Sequence, residues 1–317
     1  MFSAAARRST PLTRGRASTL GAWGAVVTED ALAVEPYTQL AALARAGYRA
    51  VEGRLPWLVR LAPLLSDVGL EAWSAYLPTP VVTGNYALWR ADVRRGPSSP
   101  PDDYDLDAAF GDACALQGLT TLVVVNLLPQ ERATLDHYRR FADAMNATGE
   151  RCKAMGFSLA YHAHSFEYAP IDGVEPFDLL ARRFDRDLVK FELDVFWATI
   201  GGRHPCDFMR RHAGRVEALH LKDRSARAPR RFTGWQRLLP ADAFAPLGSG
   251  DIDFASVLRT ARGIGVRHRF VEDESPSGWF DNLLHGVEYL ETIERDIAED
   301  QRTCTHDVRH GEEFEHQ

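Results

Sequence analysis

The chain has 317 residues, 45% of them apolar, 26% charged and 10% aromatic. That is enough for one large domain with a sizeable core, near the globular average, and it argues against a disordered, collagenous or membrane-spanning chain. The net charge of −7, from 37 Lys and Arg against 44 Asp and Glu, argues against a nucleic-acid binder, whose affinity comes from neutralising phosphates.

Residues 1–18 carry Arg7, Arg8, Arg14 and Arg16, no acid, and no apolar stretch of the kind a secretory signal needs; a disordered Arg-rich leader is expected. From residue 19 short β-rich runs alternate with helical patterns. Strands are expected at Thr19–Val27, Arg49–Gly53, Leu70–Ala75, Leu119–Val125, Phe157–Ala163, Val189–Val195, Val216–Leu221 and His268–Glu272. Helices are expected at Pro36–Ala46, Leu55–Asp67, Tyr104–Gln117, Glu131–Met155, Pro176–Phe184, Pro205–His212, Phe254–Ile264 and Phe280–Ile297. Gly47, Gly69, Gly118, Gly156 and Gly265 stand where a helix would end in a left-handed residue. Gln301–Gln317 is polar and aperiodic, the pattern of a frayed C-terminal tail.

Eight strand–helix units in about 250 residues predict a parallel sheet closed into a (β/α)8 TIM barrel, an α/β single domain over residues 19–300. A doubly wound open sheet would need a glycine-rich phosphate turn after the first strand, and Gly21-Ala22-Trp23-Gly24 is a poor one. Two connections, Tyr76–Asp103 and Lys222–Asp251, exceed ordinary βα loops. Both follow strands and so belong to the carboxyl end of the barrel, where barrel enzymes keep their sites. The second carries Arg224, Arg227, Arg230, Arg231, Trp235 and Arg237. The cysteines Cys114, Cys152, Cys206 and Cys304 are widely spaced with no CxxC pair, so a reducing, cytoplasmic setting is expected.

Alternate residues of a strand face opposite sides. His162 and His164 share one face of the fifth strand, Lys190, Glu192 and Asp194 one face of the sixth, and His220 and Lys222 one face of the seventh. Glu52 on the second strand and Glu272 on the eighth have the same parity. Five strands thus aim ionisable groups into the barrel near their carboxyl ends. Such a cluster needs compensation, and a divalent cation suits mixed imidazole and carboxylate donors: Zn2+, Mn2+, Co2+ or Fe2+.

The segment Tyr161-His162-Ala163-His164-Ser165-Phe166-Glu167 resembles the Tyr-His-Asn-His-x-Phe-Glu segment of the sugar phosphate isomerase/epimerase family. These are xylose-isomerase-like barrels related in fold to endonuclease IV. Glu192-Leu193-Asp194-Val195-Phe196-Trp197, His220-Leu221-Lys222-Asp223, Gly248-Ser249-Gly250-Asp251-Ile252-Asp253-Phe254 and Val271-Glu272-Asp273-Glu274 follow in family order. The resemblance implies one divalent metal, Mn2+ first, with Asp194, His220 and Glu272 as ligands. His162 is the fourth, with Glu167 as its rival.

The implied chemistry is an isomerase or epimerase acting on a sugar or keto-sugar through an enediolate. His164 or Glu167 is the expected base, with Lys222 placed to hydrogen-bond the oxyanion or protonate a leaving oxygen. Glu52 would bind a substrate hydroxyl or orient a ligand. Trp197, Glu192, Arg224 and Trp235 complete the expected substrate contacts. The alternative is a dehydratase or lyase performing β-elimination on a keto-sugar, keto-inositol or keto-glycoside. Lower in order stand an endonuclease IV-like phosphodiesterase and a sugar-binding barrel without turnover. The expected partner is a small carbohydrate, with no nucleic acid and no membrane; a homo-oligomer is left open.

Overall fold

The computed structural model describes residues 22–30, 32–91, 103–235, 238–275 and 278–312, with side chains described as far as residue 300. The expected leader, the start of the first expected strand, residues 92–102 of the first long connection, and Arg237 lie outside the described residues. In chain order the strands are β1 (Trp23–Val26), β2 (Tyr48–Glu52), β3 (Glu71–Ala72), β4 (Ser74–Tyr76), β5 (Thr121–Val124), β6 (Ser158–His162), β7 (Val189–Asp194), β8 (Val216–Leu221), β9 (Asp223–Arg224), β10 (Phe244–Ala245) and β11 (His268–Val271). The helices are α1 (Pro36–Ala46), α2 (Leu55–Val68), α3 (Thr79–Thr83), α4 (Tyr86–Ala91), α5 (Leu106–Ala115), α6 (Leu135–Ala154), α7 (Pro176–Arg183), α8 (Val195–Ile200), α9 (Pro205–Arg211), α10 (Phe254–Ile264) and α11 (Trp279–Glu312).

Nine strands pair in the order β3-β2-β1-β11-β8-β7-β6-β5-β4, and the pairings are parallel. The third expected strand is split at Trp73 into β3 and β4, which stand at opposite ends of that order. Tyr76 N–H donates to Gly53 O at 2.8 Å, carrying β4 back onto β2 and curling the sheet round. The chain is a single-domain TIM barrel, as its strand–helix alternation predicts. Among the described residues no helix is long and apolar enough to cross a membrane.

Local sequence explains the elements. In α10, Asp253 accepts from Ser256 N–H at the start and Gly265, at φ 74°, ends the helix. Its stripe Phe254, Val257, Leu258 and Ala261 is buried, at the spacing that presents one helix face to a sheet. Inside the barrel Val26, Ala50, Trp73, Ala218 and Phe270 form a small apolar cluster. Ala50, Ala218 and Phe270 each precede a polar residue of the site by two positions, so the cluster is the floor beneath Glu52, His220 and Glu272.

Several expected boundaries move. The apolar run after Asp194, expected to end a strand at Val195, turns into α8, because Asp194 Oδ1 accepts from Phe196 and Trp197 N–H at 2.8 and 3.0 Å. The connection after β4 holds α3 and α4, anchored by the buried Glu131 carboxylate, which accepts from Thr83, Asn85 and Trp89. The connection after β8 contains the antiparallel pair β9–β10 and is gathered around Asp223, which accepts from the backbone N–H groups of Arg224, Gly248, Gly250 and Ile252. Helix α11 runs to Glu312, beyond its expected end at Ile297 and into the expected tail, where no Gly or Pro interrupts 287–310.

Candidate metal centre

Strand register brings the polar residues together. His162 is paired with Glu192 across β6 and β7, and Asp194 with His220 across β7 and β8. Glu272, just past β11, donates its N–H to Leu221 O at 3.1 Å. Glu52 ends β2. Glu52, His162, Glu192, Asp194, His220 and Lys222 are each at most 3% exposed.

His162 Nδ1 lies 2.9 Å from Glu192 Oε2, while its Nε2 is 3.9 Å from Asp194 Oδ2. His220 Nδ1 is 2.9 Å from Glu272 Oε2; its Nε2 meets Glu52 Oε2 and lies 3.2 Å from Glu192 Oε2. Ser74 Oγ donates to the other oxygen of Glu52. The two imidazole centroids are 4.6 Å apart. Lys222 Nζ sits 3.3, 2.9 and 3.1 Å from Asp194, Glu272 and Glu274.

The electrostatics follow from burial and these contacts. Burial, with Glu192 beside it, pushes Glu52 up to about 8. Against the cost of burial, Lys222 and His220 hold Glu272 well below the ordinary carboxylate range. His220 is likewise held well above the ordinary histidine value by Glu192, Glu52 and Glu272.

Two groups of donors converge, His162–Glu192–His220 and Asp194–His220–Glu272, with the donor atoms of each group within 4.8 Å of one another. Glu192 Oε1 is buried and accepts no hydrogen bond, and Asp194 Oδ2, also without one, has Lys222 Nζ at 3.3 Å; a buried carboxylate oxygen left so is costly unless a cation sits near. Buried carboxylates with free lone pairs beside two imidazoles fit a divalent ion; the set suits Zn2+, Mn2+, Co2+ and Fe2+ alike.

A cavity of about 640 Å³ opens onto this cluster, its wall including His162, His164, Trp197, His220, Glu272 and Glu274. His164 packs between Phe166 and Trp197 at 5.5 and 5.3 Å, and its Nδ1 has no hydrogen-bond partner. Burial, then the neighbouring His162 and Lys222, hold it well below the usual histidine range, so it stands neutral near pH 7.

Other expected site residues stand off the cavity wall. Glu167 is not on the cavity wall: Tyr161 OH donates to Oε1 at 2.5 Å and His164 N–H to Oε2 at 2.8 Å. Tyr161 lies on the helix-facing side of β6, so Glu167 is drawn away from the barrel interior. Lys222 is enclosed by three carboxylates and does not line the cavity. Glu192, expected on substrate, instead lies against both histidines. Arg224 is held bidentately by Asp251, and Trp235 stands 6.0 Å from Phe166 with Arg132 over both rings; neither lines the cavity. Sequence reasoning missed Tyr76, Glu274, Arg54 and Asn126, all on its wall. Glu274 has the parity of Glu272, and Tyr76 and Arg54 end strands or begin the loops after them, a signal that could have found all three.

Residues 40–293 match the family described as Xylose isomerase-like TIM barrel. An inosose dehydratase of Geobacillus kaustophilus is 29% identical over 29% of this chain and 30% of its own length. One of Lacticaseibacillus casei is 23% identical over 56% of this chain and 61% of its own. The chain thus spans under two thirds of either relative. A sugar phosphate isomerase/epimerase from Parabacteroides distasonis superposes with a TM-score of 0.63 at 21% identity, over 87% of this chain and 96% of that one. The IOLI protein with a bound zinc atom does so at 0.60 and 14%, over 87% and 97%. At these identities the structural likeness speaks for the fold.

Proposed function

The chain belongs to the xylose isomerase-like TIM barrel family, and from that premise we propose that it is a divalent-metal-dependent enzyme that removes the proton beside the carbonyl of a keto-sugar or keto-polyol, with loss of water as the outcome. The observation carrying this is His164, kept neutral by burial, on the wall of the same cavity onto which His162, His220 and Glu272 open.

Asp194, His220 and Glu272 converge and would hold the ion, with His162, whose Nε2 lies 3.9 Å from Asp194 Oδ2, as the fourth residue. The chemistry supplied by a divalent ion there is Lewis acidity toward a ketone oxygen, which acidifies the adjoining C–H. His164 takes that proton, its low pKa keeping the imidazole unprotonated at neutral pH. As the C–O bond at the next carbon breaks, the His164 imidazolium returns the proton to the departing hydroxyl, water leaves and the base is regenerated. Trp197 and Phe166 fix the ring plane of His164, and Lys222 holds Asp194 and Glu272 in place.

One base on one face suffices for elimination or for proton transfer between adjacent carbons. Inversion at carbon requires delivery from the opposite face. The inosose dehydratase relatives support elimination; the fold likeness to a sugar phosphate isomerase/epimerase keeps isomerisation as the second reading. The test is metal analysis of the purified protein, then deuterium wash-in and ultraviolet detection of an unsaturated ketone across keto-inositols and keto-sugars. Solvent deuterium in recovered substrate and an absorbing product are expected. Deuterated isomer without that absorption selects isomerisation. No exchange with any member by metal-loaded protein overturns the proposal.

A further inference from the structure

We propose that Glu192 and Glu52 are positioning residues that give the two ligand histidines opposite tautomers, so that the ion is held through Nε2 of His162 and Nδ1 of His220. This rests on the metal-site reading above and goes beyond it, since the convergence of the histidines does not say which nitrogen of either ring is the ligand.

A neutral imidazole has one protonated and one bare nitrogen, and only the bare one can ligate. The proton on the other needs an acceptor, which fixes the ring. For His162 the acceptor is Glu192 Oε2, 2.9 Å from Nδ1. Its Nε2 is left 3.9 Å from Asp194 Oδ2, too far for a hydrogen bond, and that oxygen accepts none. His220 meets a carboxylate at each nitrogen, and the heavier set lies on the opposite edge: Glu52 Oε2, with Glu192 Oε2 at 3.2 Å, both at Nε2, against Glu272 Oε2 alone at Nδ1. Its Nδ1 faces Glu272 at 2.9 Å, and Glu272 lines the cavity whereas Glu52 and Glu192 do not. Glu52 is itself held by Ser74 Oγ.

The rival arrangement places the ion between His162 Nδ1, Glu192 and His220 Nε2, the other convergent group. There it would sit against the two carboxylates that the cavity does not reach, out of contact with a substrate oxygen. It would also leave Asp194 Oδ2 with no hydrogen bond and only Lys222, at 3.3 Å, as a close cation.

The experiment is two-bond 1H–15N correlation spectroscopy of full-length protein carrying 15N-histidine, with and without Zn2+. With zinc, His162 should show a metal-bound Nε2 and a protonated Nδ1, and His220 the reverse. Glu192→Gln and Glu52→Gln, near-isosteric and checked for folding by circular dichroism, should each weaken zinc binding about 10–100-fold. Each should also lower the fraction of its histidine in the assigned tautomer, because an amide can donate as well as accept. Zinc bound through the mirror pair of nitrogens, or affinity and tautomers unchanged in both variants, overturns this inference alone. No zinc-dependent change in either ring overturns the metal-site reading with it.

Discussion

His164 shows how much of a catalytic assignment rests on where the fold sets a side chain. The sequence offers His164 and Glu167 as bases with equal claim. The fold separates them by place, since Glu167 is occupied by Tyr161 OH and the His164 N–H away from the cavity while His164 lines it. His164→Gln is expected to slow deuterium wash-in by about 10²–10⁴-fold with metal content unchanged; equal loss of metal would transfer His164 to the binding set. Because its pKa is lowered, kcat/KM should not fall through the ordinary histidine range on acidification from pH 8 to 6. Glu167 also bears on stability. Burial raises it from 4.5 to about 8, so the folded state keeps a proton that the unfolded chain releases. Its contribution is whole below pH 4.5 and lost as pH rises toward 8. Glu167→Gln should flatten the decline of Tm across that window; an unaltered slope would contradict this.

At the scale of elements, the strand parity was legible because a period of two is fixed by backbone geometry, so the inward placement of Glu52, His162, Asp194 and His220 needed no tertiary knowledge. Helix α8 was not legible. Val195-Phe196-Trp197 reads equally as strand until Asp194 is known to turn one oxygen onto the amides of Phe196 and Trp197. That carboxylate has two duties, Oδ1 as helix cap and Oδ2 toward the cation site, and substitutions should part them. Asp194→Asn keeps a capping oxygen and should hold apo stability within about 1 kcal/mol while metal affinity drops. Asp194→Ala should lose both. Equal Tm for the two apo variants would deny the cap. Within β1, a Cβ at Gly24 would stand 2.3 Å from Phe270 Cδ1, so Gly24→Ala should cost roughly 1–3 kcal/mol by overpacking the floor, read in urea unfolding.

For the whole molecule, barrel closure and the cluster at its carboxyl rim could be read from order and parity alone. The side chains that actually wall the cavity could not. Arg224 and Trp235 sit in the right connection, yet Asp251 and the Arg132–Phe166 stack claim them, and such rivalries between distant residues leave no local trace. With Glu192 Oε1 buried and without a hydrogen bond, an ion bound in the proposed site would add to the stability of the domain. At a free-metal concentration 100 times Kd binding adds about 2.7 kcal/mol, so chelator should lower Tm in wild type and leave the Asp194→Ala variant unmoved.

The interruption at Trp73 has a mechanical corollary. Two- and three-residue segments grip their neighbours with few backbone bonds, so this stave is the most compliant of the ring and its amides should exchange with solvent ahead of those in β6 to β8. Tyr76, at its tip, lines the cavity, whereas the donors come from β6, β7, β8 and the end of β11. One side of the chamber can therefore yield to guests of different bulk while the opposite side stays rigid.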